Sequence, residues 1–346
     1  MDFLVKNTPC FFFLSMAICI FGPCSAESRE QVLRTARELK EVCPDTPFIF
    51  RAGVWKPRTN PNTFQGIGEE ALAWLQEVQQ TFGLEGATEV ATPEHVSNAL
   101  AAGIDYLWIG ARTSANPIAV QAICDALTAN SQKPKAVLIK NPVNADAALW
   151  LGNIERLEQT AIPVIAIHRG CNHQPCWSMA HTVRLARPDV PMLLDPSHLS
   201  GDAEQIPALL RKIAPLHLDG AMIEIHPQPS SALSDAKQQL TPSQLRDCLE
   251  SILDNTRWAT DTELEWLRAE IDELDDQLWD TIARRMEVSS RIGEWKKAHN
   301  VTPLQPERFR QILAARKLWA QKSGVDAAFV EQIFDLIHSE SLKRQE

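Results

Sequence analysis

No run of about 18 consecutive apolar residues occurs in the 346-residue chain, so the sequence contains no ordinary transmembrane helix. A surplus of basic residues is also missing, because 34 Lys and Arg stand against 44 Asp and Glu, for a net charge of −10. This acidic balance argues against a general surface for nucleic acid or anionic membrane. We therefore expect neither partner, although a local basic pocket could still hold phosphate groups.

Regular cysteine spacing is absent as well. The eight cysteines follow no disulfide framework, and we expect them to be mostly reduced. The segment "CNHQPC", from Cys171 to Cys176, has a weak likeness to half of a zinc site, but no second half follows it. We interpret this segment as a loop that leads into a helix.

The N-terminus lacks a clear positively charged region, because "MDFLVKN" carries one acidic and one basic side chain. The apolar segment "PCFFFLSMAICIF" and the small residues "CSA" nevertheless fit two different structures. One is a secretory signal peptide with its cleavage site, and the other is a buried first strand that leads to Cys24. These residues alone leave both possibilities open.

Residues 15–255 alternate short apolar runs with segments of helical periodicity. The runs are "AICIF", "PFIF", "GLEGATEV", "IDYLWIG", "KAVLIK", "IPVIAIH", "VPMLLD" and "GAMIEIH". Continuous apolar strands separated by helices indicate a parallel sheet that is covered on both faces. About eight such units predict an α/β fold, a (β/α)₈ (TIM) barrel. The alternative is a doubly wound open sheet, but the glycine-rich turn typical of its first strand is absent.

The count of eight strands requires "AICIF" to be the first of them, which argues against its removal as a signal peptide. We therefore predict a barrel domain over residues 1–255, a linker over 256–263 and an all-helical domain over 264–346. In the last of these, apolar residues at three- and four-residue spacing form a stripe along one long helix. The stripe comprises Leu264, Leu267, Ile271, Leu274, Leu278, Val288, Ile292 and Trp295. Such a one-sided helix normally buries its apolar face against a partner, so we predict a homodimer through it and possible assembly into a homotetramer.

Polar or ionisable residues follow nearly every predicted strand, at the end where barrel enzymes build their sites. Six are cations that repel one another unless anionic ligands neutralise them, which indicates substrates with several negative charges. They are Arg51, Lys56, Arg58, Arg112, Lys140 and Arg169. A second set mixes sulfur, nitrogen and oxygen donors and suits a borderline divalent metal ion. It comprises Cys24, His198, Glu224 and Asp235.

Six motifs in this region together resemble a known family. "GPCSAES", "KPRT", "IGART", "IKNP", "DPSH" and "EIHP…ALSD" are similar to those of type I 3-deoxy-D-arabino-heptulosonate 7-phosphate (DAHP) synthase, and most closely to its short-barrel (beta) subfamily. The resemblance implies condensation of phosphoenolpyruvate with erythrose 4-phosphate in the shikimate pathway. It also implies a divalent metal, Mn²⁺ first, with Co²⁺, Zn²⁺, Fe²⁺ and Cd²⁺ as alternatives, held by the four donors named above.

The same resemblance assigns roles to the cations. Arg112, Lys140 and Arg169, with Arg51 and Lys56 close by, hold phosphoenolpyruvate. Arg58 and Thr59 of "KPRT" take the phosphate of the aldose, and Lys56 protonates or stabilises the new alkoxide. A sister enzyme that uses arabinose 5-phosphate shares the barrel, but "KPRT" favours the erythrose substrate.

Two basic residues lie near the apolar stripe of the long helix. Arg285 and Lys296 are 11 residues apart, which places them about 20° apart around the helix axis. Arg268 lies about 100° from Arg285 and could reach a different pocket, such as one in a dimer partner. A charged side chain at such a position either extends its charged end to solvent or contacts a ligand.

The segments "LRAEIDELDDQLWDTIARRMEVSSRIGEWK" and "PERFRQIL" resemble the all-helical (AroQ-class) chorismate mutase. The resemblance implies a pocket lined by Arg285, Lys296, Arg308 and Gln345, with Ser341 nearby and Arg268 supplied by the other protomer. Its substrate is chorismate, which rearranges to prephenate. Phe309 stands where some members have glutamate, as in isochorismate-pyruvate lyase relatives, so lyase activity is a minor alternative.

The leading hypothesis is therefore a bifunctional cytoplasmic enzyme, a metal-dependent synthase fused to a mutase. In a second hypothesis the helical region is mainly a dimerisation module that senses prephenate or chorismate. In a third, the chain is an exported binding protein with a positively charged cleft.

Overall fold

The computed structural model describes residues 18–58, 60–172, 174–253 and 262–345. Residues 1–17, Thr59 and all but the end of the predicted linker 256–263 lie outside these described residues. No helix within the described ranges is long and apolar enough to cross a membrane.

Eight parallel strands close into a barrel in which each strand pairs with the next along the chain, and the last pairs with the first. The strands are β1 (Ile18–Gly22), β2 (Ile49–Arg51), β3 (Glu85–Val90), β4 (Tyr106–Ile109), β5 (Ala136–Lys140), β6 (Val164–His168), β7 (Met192–Leu194) and β8 (Gly220–Glu224). The predicted barrel is confirmed, and the open sheet is excluded. In β1, Ile20 lies opposite both Ile49 of β2 and Met222 of β8, so residues 18–22 form an integral strand of the barrel.

Helices follow the strands and cover the outside of the barrel. They are α1 (Arg29–Val42), α2 (Glu70–Phe82), α3 (Pro93–Ala101), α4 (Ala111–Ser114), α5 (Pro117–Ala129), α6 (Ala147–Glu158), α7 (Trp177–Ala186), α8 (Pro196–Ser200), α9 (Ile206–Leu210) and α10 (Pro242–Leu253). Local sequence sets several of their starts. Ser28 accepts a hydrogen bond from the backbone N–H of Gln31, and Asp146 accepts one from that of Leu149, as N-cap residues do.

Apolar side chains pack in two layers, one inside the barrel and one between the strands and the surrounding helices. The inner layer includes Ile20, Trp108, Leu138, Ile167 and Met222. Because both faces of each strand are covered, all five residues of β5 and of β6 are buried. This packing holds the carboxyl ends of the strands at one rim, where the functional side chains lie.

The chain divides into two compact units, Met1–Glu270 and Ile271–Glu346. The predicted helices of the C-terminal region are confirmed as α11 (Thr262–Ala298), α12 (Pro306–Ser323) and α13 (Ala327–Lys343). The first turns of α11 belong to the barrel unit, where Trp266 stacks on His181 with ring centroids 5.2 Å apart. The apolar stripe is exposed; Leu267, for example, is 47% exposed and Leu278 is 53% exposed. The partner expected on this stripe stays a prediction.

His168, the last residue of β6, is fully buried beside Trp177, with ring centroids 5.1 Å apart. Burial lowers the pKa of His168 to about 4; Arg169 acts in the same direction and Asp195 opposes it. The imidazole is therefore neutral in the folded barrel at neutral pH.

We expect His168 to make the barrel sensitive to acid. Its pKa rises to about 6.5 on unfolding, so the folded state loses relative stability as the pH falls from 6.5 towards 4. The loss by pH 4.5 is about 2 to 3 kcal/mol. The His168→Phe variant keeps an aromatic ring without a titratable group. Urea unfolding at pH 7 and pH 4.5 should show a smaller decrease for this variant, and equal decreases would contradict the assignment.

Candidate functional site

A cavity of about 250 Å³ lies at the carboxyl ends of the strands. All six predicted cations line it, and none of the six is misplaced. The lining comprises Arg51, Lys56, Pro57, Arg58, Glu89, Trp108, Gly110, Ala111, Arg112, Lys140, Val143, Arg169, Asn172, His198 and Asp235. A cavity with this surplus of positive charge binds small polyanions.

Two of these cations form buried ion pairs. Arg51 Nη2 lies 3.0 Å from Glu224 Oε1, and the Arg51 guanidinium lies over the ring of Trp108. Lys140 Nζ lies 2.6 Å from Asp195 Oδ2. Burial alone would raise the pKa of Asp195, but the charges of His198 and Lys140 outweigh it and hold that pKa well below its usual range. Asp195 is therefore ionised at neutral pH.

Three of the four predicted metal ligands form a compact cluster. Ligand atoms of Cys24, Glu224 and Asp235 all lie within 4.8 Å of one another, and Cys24 Sγ is 3.0 Å from Asp235 Oδ2. Cys24 comes from the loop after β1, whereas Glu224 ends β8 and Asp235 lies in the loop that follows. Closure of the barrel brings these segments together, because β1 and β8 are neighbours.

His198, the fourth predicted ligand, lies at the edge of this cluster. Its Nε2 is 3.7 Å from Glu224 Oε1, and its Nδ1 is 3.0 Å from Asp195 Oδ2. When the imidazole is neutral with its proton on Nδ1, the ionised Asp195 accepts that hydrogen bond and the lone pair of Nε2 faces the cluster. A carboxylate behind a histidine in this way is the usual arrangement at metal centres.

The Cys24 thiol has a raised pKa, which a cation bound at this cluster would counteract. Burial, and next the negative charge of Glu224, raise the pKa of the Cys24 thiol. Lys56 Nζ lies 3.0 Å from Cys24 Sγ and opposes this shift. A bound divalent ion deprotonates such a thiol outright and offsets the crowded carboxylates, so these residues suit the borderline metal that their donor atoms indicate.

Several contacts at this site could not be foreseen from residue type. Gln238 Nε2 donates to Glu224 Oε2 at 2.7 Å, and Gln239 accepts a hydrogen bond from the backbone N–H of Cys24 at 3.1 Å. Glu89, the residue before the last of β3, also lines the cavity, in keeping with its expected place at the end of the third strand. Thr59 lies outside the described residues.

A second cavity, of about 260 Å³, lies among the helices of the C-terminal unit. Predicted residues line it, namely Arg285, Lys296, Arg308, Ser341 and Gln345. Arg285 Nη1 donates to Ser341 Oγ, and Lys296 Nζ donates to Gln345 Oε1 at 2.8 Å. Its other lining residues are Ser289, Ile292, Pro303, Gln305, Phe309, Ile312, His338 and Leu342.

The contact between Phe309 and His338 was not predicted from the sequence. Their rings stack in the wall of this cavity, with centroids 4.0 Å apart. The predicted Arg268 does not line the cavity; its side chain is 61% exposed and pairs with Glu265.

Comparisons with known proteins match both regions. Residues 15–261 match the model of the DAHP synthetase I family, and residues 267–346 match that of chorismate mutase type II. A phospho-2-dehydro-3-deoxyheptonate aldolase of Thermotoga maritima is 31% identical over 228 residues, which are 64% of this chain and 64% of the relative. A crystal structure of that enzyme (DAHP synthase) from T. maritima gives a TM-score of 0.59 at 26% identity and covers 68% of each chain.

Two further relatives bear on the two regions separately. A 2-dehydro-3-deoxyphosphooctonate aldolase of Methylobacillus flagellatus is 27% identical over 259 residues, which are 69% of this chain and 90% of the relative. A 4-amino-4-deoxychorismate mutase of Streptomyces pristinaespiralis is 36% identical over 88 residues, which are 25% of this chain and 67% of the relative. The chain therefore belongs to the DAHP synthetase I family through its barrel, and its helical C-terminal region is a domain of the type II chorismate mutase family.

Proposed function

We propose that the barrel condenses phosphoenolpyruvate with erythrose 4-phosphate to DAHP and phosphate, and that the helical region rearranges chorismate to prephenate. The observation that carries the proposal is a single cavity lined by six cations, in which the lining residue Asp235 also belongs to a compact cluster with Cys24 and Glu224. The alignment spans 64% of the length of the T. maritima relative, so the activity of the whole chain is inferred from its own residues.

The cations of the barrel cavity suit two phosphorylated substrates. Arg112, Lys140 and Arg169 lie among the cavity-lining residues after β4, β5 and β6, and we assign them to phosphoenolpyruvate, with Arg51 nearby. Arg58 lies on the loop after β2, where its Nη1 is 3.3 Å from Asp235 Oδ2, and we assign it with Thr59 to the aldose phosphate. These cations offset the repulsion between two polyanions that lie side by side. They also orient the two substrates for the reaction.

We assign a divalent metal ion, Mn²⁺ first, to Cys24, His198, Glu224 and Asp235. When bound, the ion supplies Lewis-acid polarisation of the aldehyde carbonyl. Lys56 is buried with its Nζ 3.0 Å from both the sulfur and the carbonyl oxygen of Cys24. This position lets Lys56 donate a proton to the alkoxide that forms when the enol carbon of phosphoenolpyruvate attacks the aldehyde.

Erythrose 4-phosphate and arabinose 5-phosphate are the two candidate aldoses, since relatives include both heptonate and octonate aldolases. The "KPRT" loop, with Lys56 and Arg58 both lining the cavity, supports the shorter sugar. We therefore expect the synthase to prefer erythrose 4-phosphate.

The synthase assignment is tested by metal removal and by replacing Cys24. Release of phosphate from phosphoenolpyruvate with erythrose 4-phosphate should stop in EDTA and return with Mn²⁺. The Cys24→Ser variant should lose at least about 100-fold in kcat/KM, because a metal ligand contributes no less than its supporting partners. The matched control is Cys43→Ser, a buried thiol at the end of α1, which should keep its activity. Full activity of Cys24→Ser in EDTA, or faster turnover of arabinose 5-phosphate, would refute the assignment.

In the helical cavity we assign Arg285 and Arg308 to the carboxylates of chorismate. Lys296 and Gln345, hydrogen-bonded to each other at 2.8 Å, are placed to face the ether oxygen, where charge develops during the rearrangement. Ser341 orients Arg285 by accepting its hydrogen bond. The substrate 4-amino-4-deoxychorismate is less suitable, because an ammonium group would join three cations in a cavity with no lining carboxylate among the described residues.

We also propose a homodimer through the exposed stripe of α11, in which each protomer supplies Arg268 to the cavity of the other. Leu264, Ile271 and Leu274 are 42%, 58% and 62% exposed, although a helix of this length needs its apolar face covered. Assembly of such dimers into a homotetramer is a further proposal.

Complementation between variants tests the shared cavity. The Arg285→Ala and Arg268→Ala variants should each lose about 100-fold or more in conversion of chorismate to prephenate, the effect of removing one transition-state donor. Co-refolding them in equal amounts should restore activity, because a mixed dimer contains one intact cavity. A failure to complement would exclude the shared cavity, and mutase turnover that survives Arg285→Ala would reject the site. Turnover of 4-amino-4-deoxychorismate in the same assay should be slower.

A regulatory role for the helical region is favoured by one chain of contacts within the barrel unit. Trp266 of α11 lies edge-on to Trp177 with centroids 6.1 Å apart, and Trp177 contacts His168, which precedes Arg169. A ligand that shifts the start of α11 could thus disturb a residue that we assign to phosphoenolpyruvate. In this second candidate function, prephenate bound to the helical region inhibits the synthase.

Prephenate should therefore slow the synthase in the full chain. The Trp266→Phe variant, which loosens the contact with Trp177, should shift the inhibition constant several-fold. Its control is Trp279→Phe on the same helix, where the side chain is 67% exposed. Unchanged synthase rates with saturating prephenate would dismiss the regulatory role while leaving both activities in place.

A further inference from the structure

Asp235 has an unfavourable backbone conformation for a non-glycine residue. Its φ of 49° lies in the left-handed region, which costs about 1 to 3 kcal/mol and persists only when surrounding contacts hold it. The Asp235 side chain makes the 3.0 Å contact with Cys24 Sγ that closes the ligand cluster. The contacts that hold the loop of Asp235 therefore also determine the geometry of the cluster.

Two buried bridges join this loop to the loop of Cys24. Ser25 Oγ lies 2.5 Å from Ser234 Oγ, and each serine is next in sequence to a ligand. Gln239 forms the second bridge. Its side chain accepts a hydrogen bond from the backbone N–H of Cys24 at 3.1 Å and donates one to the carbonyl oxygen of Ser234 at 2.8 Å. Both bridges hold the two loops through neighbouring side chains and backbone groups, and neither involves the side chain of Cys24 or Asp235.

Glu27 organises the first of these bridges. Its Oε1 accepts hydrogen bonds from Ser25 Oγ at 3.2 Å and from the backbone N–H of Leu233 at 2.9 Å. Because the Ser25 proton points to Glu27, the hydroxyl of Ser234 must donate to Ser25. One carboxylate thus fixes the direction of the serine bridge and also ties down the backbone just before Asp235.

His226 lies on the other oxygen of this carboxylate. The backbone N–H of Gln228 donates to His226 Nδ1 at 3.0 Å, so the proton of the neutral imidazole is on Nε2. Within the part of the chain that the structure describes, this Nε2 has no hydrogen-bond partner, and the nearest carboxylate oxygen given for it is Glu27 Oε2 at 3.8 Å. The Glu27 side chain is only 9% exposed, so protein donors such as Ser25 and Leu233 supply most of the contacts of its carboxylate.

We propose that Glu27 is a positioning residue that holds Cys24 and Asp235 at ligand spacing and thereby sets the affinity of the cluster for its divalent ion. The inference rests on the proposed metal site. Glu27 belongs to neither the compact cluster nor the cavity lining, so it acts through Ser25, Ser234 and Leu233. Supporting partners of this kind contribute about 10- to 100-fold to metal affinity.

Titration of the EDTA-treated full chain with Co²⁺ tests the proposal without an activity assay. Cobalt bound to a thiolate has a sulfur-to-metal charge-transfer band, which reports whether Cys24 is a ligand. The Glu27→Ala variant should raise the Co²⁺ Kd by about 10- to 100-fold and weaken this band per bound ion. The Glu27→Gln variant should lose less, because its carbonyl oxygen still serves Ser25 and Leu233 while its amide opposes the N–H of His226.

The matched control is Glu30→Ala, an exposed carboxylate three residues further on in the first turn of α1, which should bind Co²⁺ like the unaltered chain. Far-UV circular dichroism should show all variants folded; should Glu27→Ala fail to fold, the Kd of Glu27→Gln decides. Wild-type Kd and band in the folded Glu27 variants would overturn the positioning role alone. Absence of the band in the unaltered chain would instead refute the metal site, and the positioning role with it.

Discussion

The balance of buried charge at the carboxyl end of the barrel is the constraint on which the rest of the site depends. Arg51 and Glu224 are both buried, and so are Lys140 and Asp195. Removing a charge from water costs several kcal/mol, which only a close partner of opposite sign offsets. Each deep cation therefore requires its carboxylate, and this requirement fixes the positions of β2, β5, β7 and β8 residues relative to one another. Arg112 and Arg169 also line the cavity, and both are more exposed than Arg51 and Lys140.

The same balance explains how a thiol and carboxylates can share so small a space. Cys24, Glu224 and Asp235 are crowded together, and burial, followed by the negative charge of Glu224, raises the pKa of the thiol. Lys56 and Arg58 offset part of the negative charge, at 3.0 Å from the sulfur and 3.3 Å from Asp235. Bound metal would complete the compensation, and the pairing of His198 with Asp195 orients one more donor towards it.

Sequence patterns predicted the barrel because most of its strands are continuous apolar runs separated by helical segments, and a closed barrel necessarily puts the first strand beside the last. That closure also made the proximity of Cys24 to Glu224 predictable, although they are 200 residues apart. Gln239 and Glu27 could not be assigned in this way, because they lie in loops without periodicity and act through backbone groups. The left-handed backbone of Asp235 is likewise set by tertiary contacts that its residue type does not reveal.

In helix α11, the periodicity of apolar residues does not predict which face packs against the barrel. Trp266 and Ala269 are buried in the barrel unit, whereas Leu264 and Leu267 between and beside them remain exposed. Apolar residues thus occupy two faces of the same turns, and spacing alone cannot tell which face meets the barrel. The ring stack of Trp266 on His181 decides it, since a tryptophan buried to 2% exposure contributes far more apolar area than the stripe residues beside it.

The two cavities solve the problem of buried positive charge in opposite ways. In the barrel the deeply buried cations Arg51 and Lys140 are neutralised by the carboxylates of Glu224 and Asp195. Among the described residues of the helical unit, the acceptors of Arg285 and Lys296 are neutral: the hydroxyl of Ser341, the amide oxygen of Gln345 and the backbone carbonyl of Pro303. Neutral acceptors satisfy hydrogen bonds without cancelling charge, so the helical cavity retains its full attraction for a dicarboxylate. Its affinity should therefore depend on ligand charge more steeply than that of the barrel, where part of the field is already compensated.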